Sequence, residues 1–287
     1  MIEMQADSIP KVLKHIRTIR RKWNPRGENP EEIWFRGQPK RSFQLVPGLY
    51  RPNVRRYNYD EVTIVEAFKA LATPFAHPRP SDEWEWYFLA QHYRLPTRLL
   101  DWTENALAAI YFAINEEMLQ RDRADVAQAL SERRKPPLFD SDSPTVWVID
   151  AGTLNKWSCD LDDVCLFAPH GANADAYLPE ALGDPSAREP GIENEKPIAI
   201  NPPRSNTRIL AQQGTFTVHG RSDVALDEIA KNQEKKGILH LACILLDRNN
   251  LAPIWDELMI AGITQLALFP ELDTVAEHVK RVYQNPT

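Results

Sequence analysis

Arg36 closes a short apolar run, Ile33-Trp34-Phe35, and Gly37 follows it directly. A buried strand ending this way fixes a guanidinium in place, and the glycine lets a backbone come close to a ligand. Two readings stand open for Arg36. It makes a bidentate contact to a ligand phosphate or carboxylate, or it pairs with a buried carboxylate such as Asp101 and only holds the fold. Asp101-Trp102-Thr103 precedes a helical pattern starting near Glu104, so Asp101 or Thr103 can cap that helix. The same helix start offers free N–H groups and positive dipole character to an anion. His92 lies in an aromatic-rich helical stretch, as a hydrogen-bonded core residue or as an acid–base group. No HxH or HExxH spacing occurs, and no metal is expected.

The elements that must position these residues follow from periodicity. Residues 8–23 predict a helix capped by Ser8, with Pro10 in its first turn and Val12, Leu13, Ile16, Ile19 and Trp23 on one face. Its other face is basic, either as a solvated surface or as one that meets an anion. Asp60 starts a second helix, with Val62, Val65, Phe68, Leu71 and Ala72 inward, and Trp84–Tyr93 predicts a third. The helix after Thr103 places Leu107, Ile110, Tyr111 and Ile114 inward, continues as a charged extension from 116, and reaches a proline linker ending near 143. Thr145–Asp150, Pro197–Asn201, Thr215–His219 and Ile238–Leu246 predict strands. The last is a continuous β-prone run suited to a sheet covered on both faces. Residues 151–196 show no period and predict a long functional loop or lid. Helices over 251–261, ended by Gly262, and 273–283 complete the chain. With no internal repeat, the expectation is one α+β domain over 1–287, a central mixed or antiparallel sheet flanked by helices segregated to the early chain.

Four segments, WFRGQ (34–38) with LVPGLYR (45–51), AQHYRLPTRLLDWTENALAAIYFA (90–113), RILAQQGTFTVHG (208–220) and LMIAGITQLALFPELDTVA (258–276), resemble the bacterial FRG domain family. Arg94 departs from that pattern, standing where the family usually has glycine. The motif order is also similar to the ADP-ribosyltransferase fold, with FRG as its first motif and residues 95–113 as its second. Its third falls at 208–219, with Gln212 and Gln213 in place of acids. That resemblance implies a nucleotide or dinucleotide ligand, NAD foremost, with Arg36, His92, Asp101 and Gln213 as catalytic candidates. Gly37, Gln38, Gln91, Thr97, Arg98, Thr103 and Gly214 are the matching binding candidates. Stress response, phage defence and toxin activity are associations of the family, and a nucleic-acid or protein acceptor is left open. The competing readings are a binding module for nucleotide, nucleic acid or protein, and a hydrolase or nuclease.

Composition bounds these readings. The 287 residues include 43% hydrophobic and 26% charged side chains, ample for a packed core. A net charge of −6 disfavours non-specific coating of nucleic acid but leaves room for a local basic cleft. Cys159, Cys165 and Cys243 form no disulfide framework and no common zinc pattern, and read as small buried hydrophobes. The longest apolar run, Ala106–Ile114, is too short to span a bilayer, and no apolar leader opens the sequence. The expectation is a soluble cytoplasmic protein with no membrane partner.

Overall fold

The computed structural model describes residues 1–27, 32–114, 139–161, 166–184, 186, 193–204, 206–233 and 239–284. The charged extension expected from 116, most of its proline linker and Cys165 lie outside these residues. Among the described residues, seven strands form one sheet: β1 (Ile2–Ala6), β2 (Ile33–Gln38), β3 (Leu99–Thr103), β4 (Thr145–Asp150), β5 (Ile198–Ile200), β6 (Gly214–Val218) and β7 (Leu241–Leu246). Their order is β1-β7-β4-β2-β3-β6-β5, with β1 parallel to β7 and the other neighbours antiparallel. The fold is α+β with a mixed sheet flanked by helices, as the sequence predicts.

Both faces of the sheet are covered, and the period-two alternation of its central strands shows it. Phe35, Val146, Val148, Ala242 and Ile244 pack with helices α1 (Ile9–Trp23), α4 (Ala106–Ala113) and α8 (Leu251–Ile260). Trp34, Trp147, Ile149, Leu241 and Cys243 face α5 (Ala151–Ser158) and α7 (Leu226–Gln233) on the other side. A third cluster packs Leu99, Phe216 and Val218 against α2 (Glu61–Ala72) and α3 (Glu83–His92). The helices therefore come from the whole chain and are not segregated to its early part.

Three local expectations need correction. Ser8 occupies the cap position of α1, but its hydroxyl donates to Asp7 Oδ1 and caps nothing. Leu71 is 75% exposed, because the inner face of α2 runs through Glu61, Ile64, Val65 and Phe68. The described residues of the expected lid at 151–196 are largely packed structure. Asp150 caps α5, Asn155 exchanges two hydrogen bonds with the Ala199 backbone, and Tyr177 and Asn194 are fully buried. These helices are short, so none repeats an apolar period often enough to be recognised in sequence.

Candidate functional site

β2 and β3 run side by side at the centre of the sheet but pair at one position only, Phe35 with Thr103. On their outer sides, β2 pairs with β4 at six positions and β3 with β6 at five. Beyond Phe35 the two strands diverge, and Arg36 spans the divergence. Its Nη1 donates to the Asp101 main-chain oxygen at 2.6 Å and lies 3.8 Å from the Asp101 carboxylate. Asp101 is not the buried partner considered in the sequence; its side chain is 57% exposed.

A cavity of about 550 Å³ opens at this divergence. It brings together Arg36, Gly37, Gln91, His92, Asp101 and Thr103, which are scattered over three elements in sequence. Gln91 is held rigidly: Thr97 Oγ1 donates to its Oε1 at 2.5 Å, and its Nε2 donates to Asp101 Oδ2 at 3.0 Å. The Asp101 carboxylate is thereby fixed on the wall. His92, at the end of α3, has its Nε2 3.5 Å from Glu271 Oε1. Burial and the nearby Arg208 push the His92 pKa below the ordinary histidine value, with Glu271 opposing.

Three arginines absent from the sequence expectation also line the cavity: Arg51, Arg94 and Arg208. They come from loops and from helix α6 (Thr207–Gln212), where spacing says nothing about convergence. The Arg208 guanidinium lies over the Phe269 ring at 4.6 Å, and Phe269 meets Phe112 edge-on. Four arginines thus face one carboxylate, Asp101, among the described lining residues. Arg36 is the one at the strand divergence, and its pairing with Asp101 is incomplete. Burial, reinforced by Arg51 and only partly offset by Asp101, lowers its pKa to about 10, and its Nε is buried with no hydrogen-bond partner among the described residues.

Residues 31–122 match the family model of the FRG domain. The chain carries an FRG domain. No curated protein and no solved structure matches the sequence. The matched stretch holds the Phe-Arg-Gly signature and the segment 90–113, while 208–220 and 258–276 fall outside it.

The FRG signature divides its work between two faces. Phe35 enters the core with α1 and α4, and Arg36 reaches the cavity. Gly37 lines the cavity and is also required by the helix: a Cβ there would overlap the Ala109 carbonyl oxygen and sit 2.5 Å from the Ala113 nitrogen. Arg94 has a φ of 65°, a left-handed conformation that glycine adopts most readily, as the expected departure at this position implies. Here a left-handed turn is kept with an arginine, and that arginine lines the cavity.

The remaining sequence candidates lie elsewhere. Arg98 is 1% exposed and structural: its Nε pairs with Glu61 Oε2 at 2.5 Å, and its two terminal nitrogens donate to the His219 and Tyr177 carbonyls at 2.6 Å each. Thr97 is buried behind Gln91, and Gln38 accepts from the Trp147 indole at 2.8 Å, away from the cavity. Gln213 adopts φ 48° at the end of α6, is exposed, and lies with Gly214 outside the lining. Gln212 lines the cavity instead, its amide donating to the Leu268 oxygen. Nor do Asp101 or Thr103 cap α4. Asn105 does so, accepting from Leu107 and Ala108, while Thr103 Oγ1 donates to the Gln212 oxygen at 2.6 Å. Among the described residues, no helix is long and apolar enough to cross a membrane.

Proposed function

We propose that the cavity of this FRG domain binds a phosphorylated, nucleotide-sized ligand, with NAD and related dinucleotides as the class to test first. The observation that supports this most is four arginines against one lining carboxylate among the described residues, with only Arg208 paired to an acid just outside the lining, Glu271, and with the Arg36 Nε a buried, unused donor. Guanidinium offers a phosphate planar, bidentate contacts, and several arginines together match its multiple charges better than those of a single carboxylate. The edge-on Phe112–Phe269 pair beside Arg208 supplies an apolar corner against which a ring can pack. ADP-ribosyl transfer needs a carboxylate beside the reacting ribose to stabilise developing positive charge. Asp101 is the lining carboxylate that can take this role, since Gln212 carries no charge. Binding is therefore the primary reading, and turnover is a second one resting on Asp101.

Titration calorimetry with NAD, ADP-ribose, ATP and inorganic pyrophosphate tests the reading. Arg36→Ala is expected to cost about tenfold to a hundredfold in affinity, the worth of a charged hydrogen bond. Its melting temperature should fall by only a few degrees, because Asp101 is solvated and removing the cation relieves its desolvation. If wild-type protein binds none of the four probes, the reading is wrong.

His92 gives a pH test. Its pKa is depressed in the free protein, so without ligand its contribution to stability is lost as pH falls below the ordinary value of 6.5. A bound pyrophosphate favours the imidazolium. Affinity for ADP-ribose is therefore expected to rise as pH drops from 7.5 to 5.5, and this rise should disappear in His92→Gln. An equal slope in both proteins would remove His92 from the site.

A further inference from the structure

A second cavity, of about 800 Å³, adjoins the first and shares Phe88, His92 and Ile209 with it. Its character is opposite. Phe75 and Tyr93 line it while being 81% and 66% exposed, and such large aromatic surface beside a cavity marks a place where something flat and apolar sits. Its charged wall carries three acids, Glu85, Glu271 and Asp273, against Arg79 and two histidines. The first chamber thus favours anions, and the second favours a ring with positive charge.

We propose that the two chambers hold one dinucleotide, with its pyrophosphate on the arginines of the first and a flat cationic ring in the second. This rests on the first chamber binding phosphate, as argued above. The continuity through His92 argues for a single ligand. His92 touches both chambers, and Glu271, on the second, reaches both His92 and Arg208, which lines the first. Glu271 Oε1 is buried without a hydrogen-bond partner among the described residues, 3.5 Å from His92 and 3.6 Å from Arg208. Glu271 shares its charge with Arg208, so the negative potential where the ring would lie comes chiefly from Glu85 and Asp273 on the same wall.

Oxidised NAD and ADP-ribose differ by the cationic nicotinamide ring, and reduced NAD carries that ring without its charge. The test is the affinity of these three and of inorganic pyrophosphate for wild type and for the double variant Phe75→Ala/Tyr93→Ala. Both side chains are mostly exposed, so the variant keeps its fold. Wild type is expected to bind oxidised NAD about tenfold more tightly than ADP-ribose, the worth of one stacked ring, and more tightly than reduced NAD. In the double variant the NAD advantage should vanish while ADP-ribose and pyrophosphate bind as before. If ADP-ribose binds but oxidised NAD shows no advantage, or the advantage survives the double variant, the second chamber does not hold the ring. Equal binding of oxidised and reduced NAD overturns the electrostatic part. Failure of all four probes, pyrophosphate included, overturns the first-chamber reading and this one with it.

Discussion

Gly37→Ala is expected to unfold this protein or come close to it. A Cβ at this position has nowhere to go: it overlaps the Ala109 carbonyl oxygen and crowds the Ala113 nitrogen, and both are backbone atoms of α4. A flexible neighbour could turn aside, but a helix must move as a whole. Ala109 and Ala113 are fully buried between α4 and the sheet, so that movement opens the core around Phe35, Val146 and Val148. Overpacking typically costs about 1–3 kcal/mol, and a rigid backbone on the receiving side puts this change at or above the top of that range. Against a native stability of roughly 5–15 kcal/mol, the melting temperature should fall by ~10 °C or more, or the protein should be insoluble. Gly48→Ala is the control. It lies on the same cavity, yet a Cβ there meets nothing closer than the Pro96 Cα at 3.7 Å, so its effect should stay within about 0.5 kcal/mol. Equal melting temperatures for the two variants would show that Gly37 is required by something other than α4.

The second large effect is expected at Arg98. Its guanidinium makes three contacts without solvent, to Glu61 and to the carbonyls of Tyr177 and His219, and so joins α2, β3, the end of β6 and the segment after 166. Arg98→Ala leaves the Glu61 carboxylate, 8% exposed, without its cation and strands two carbonyls. Breaking a buried pair from one side costs about 3–5 kcal/mol. Urea unfolding should show a midpoint shift of that size with an unchanged slope. Arg98→Met combined with Glu61→Leu should recover at least half of the loss, since the stranded charge is removed along with its partner. A double variant no better than Arg98→Ala would place the cost in the two carbonyls, and not in the carboxylate.

What could be read from sequence was what repeats or runs unbroken. The strands at 145–150 and 241–246 were legible as short continuous β-prone apolar runs, which a sheet covered on both faces requires, and the α1 stripe because Val12, Ile16 and Ile19 recur at helical spacing. Part of the site was legible through Arg36, Gln91, His92, Asp101 and Thr103, whose neighbours form recognisable motifs. Arg51, Arg94 and Arg208 were not, although all three lie within the four FRG-like segments, because nothing in those segments says where an arginine points and only the tertiary fold aims them at a common point. Arg98 was misassigned for a related reason. Its partner Glu61 lies 37 residues earlier, and nothing local distinguishes a buried arginine from a ligand-facing one. The cap of α4 was missed because Asp101, Thr103 and Asn105 are all good capping residues two positions apart, and extended β3 runs through the first two.

The thin seam between β2 and β3 bears on what kind of unit an FRG domain is. The matched stretch supplies both strands, yet each takes nearly all of its ladder partners from elsewhere: β4 on one flank, β6 on the other. Cut out of this chain, residues 31–122 would be two strands joined at a single rung, with open edges on both outer sides. They are thus a signature and not a module. In this chain β4 and β6, which lie beyond the matched stretch, complete the sheet that β2 and β3 begin.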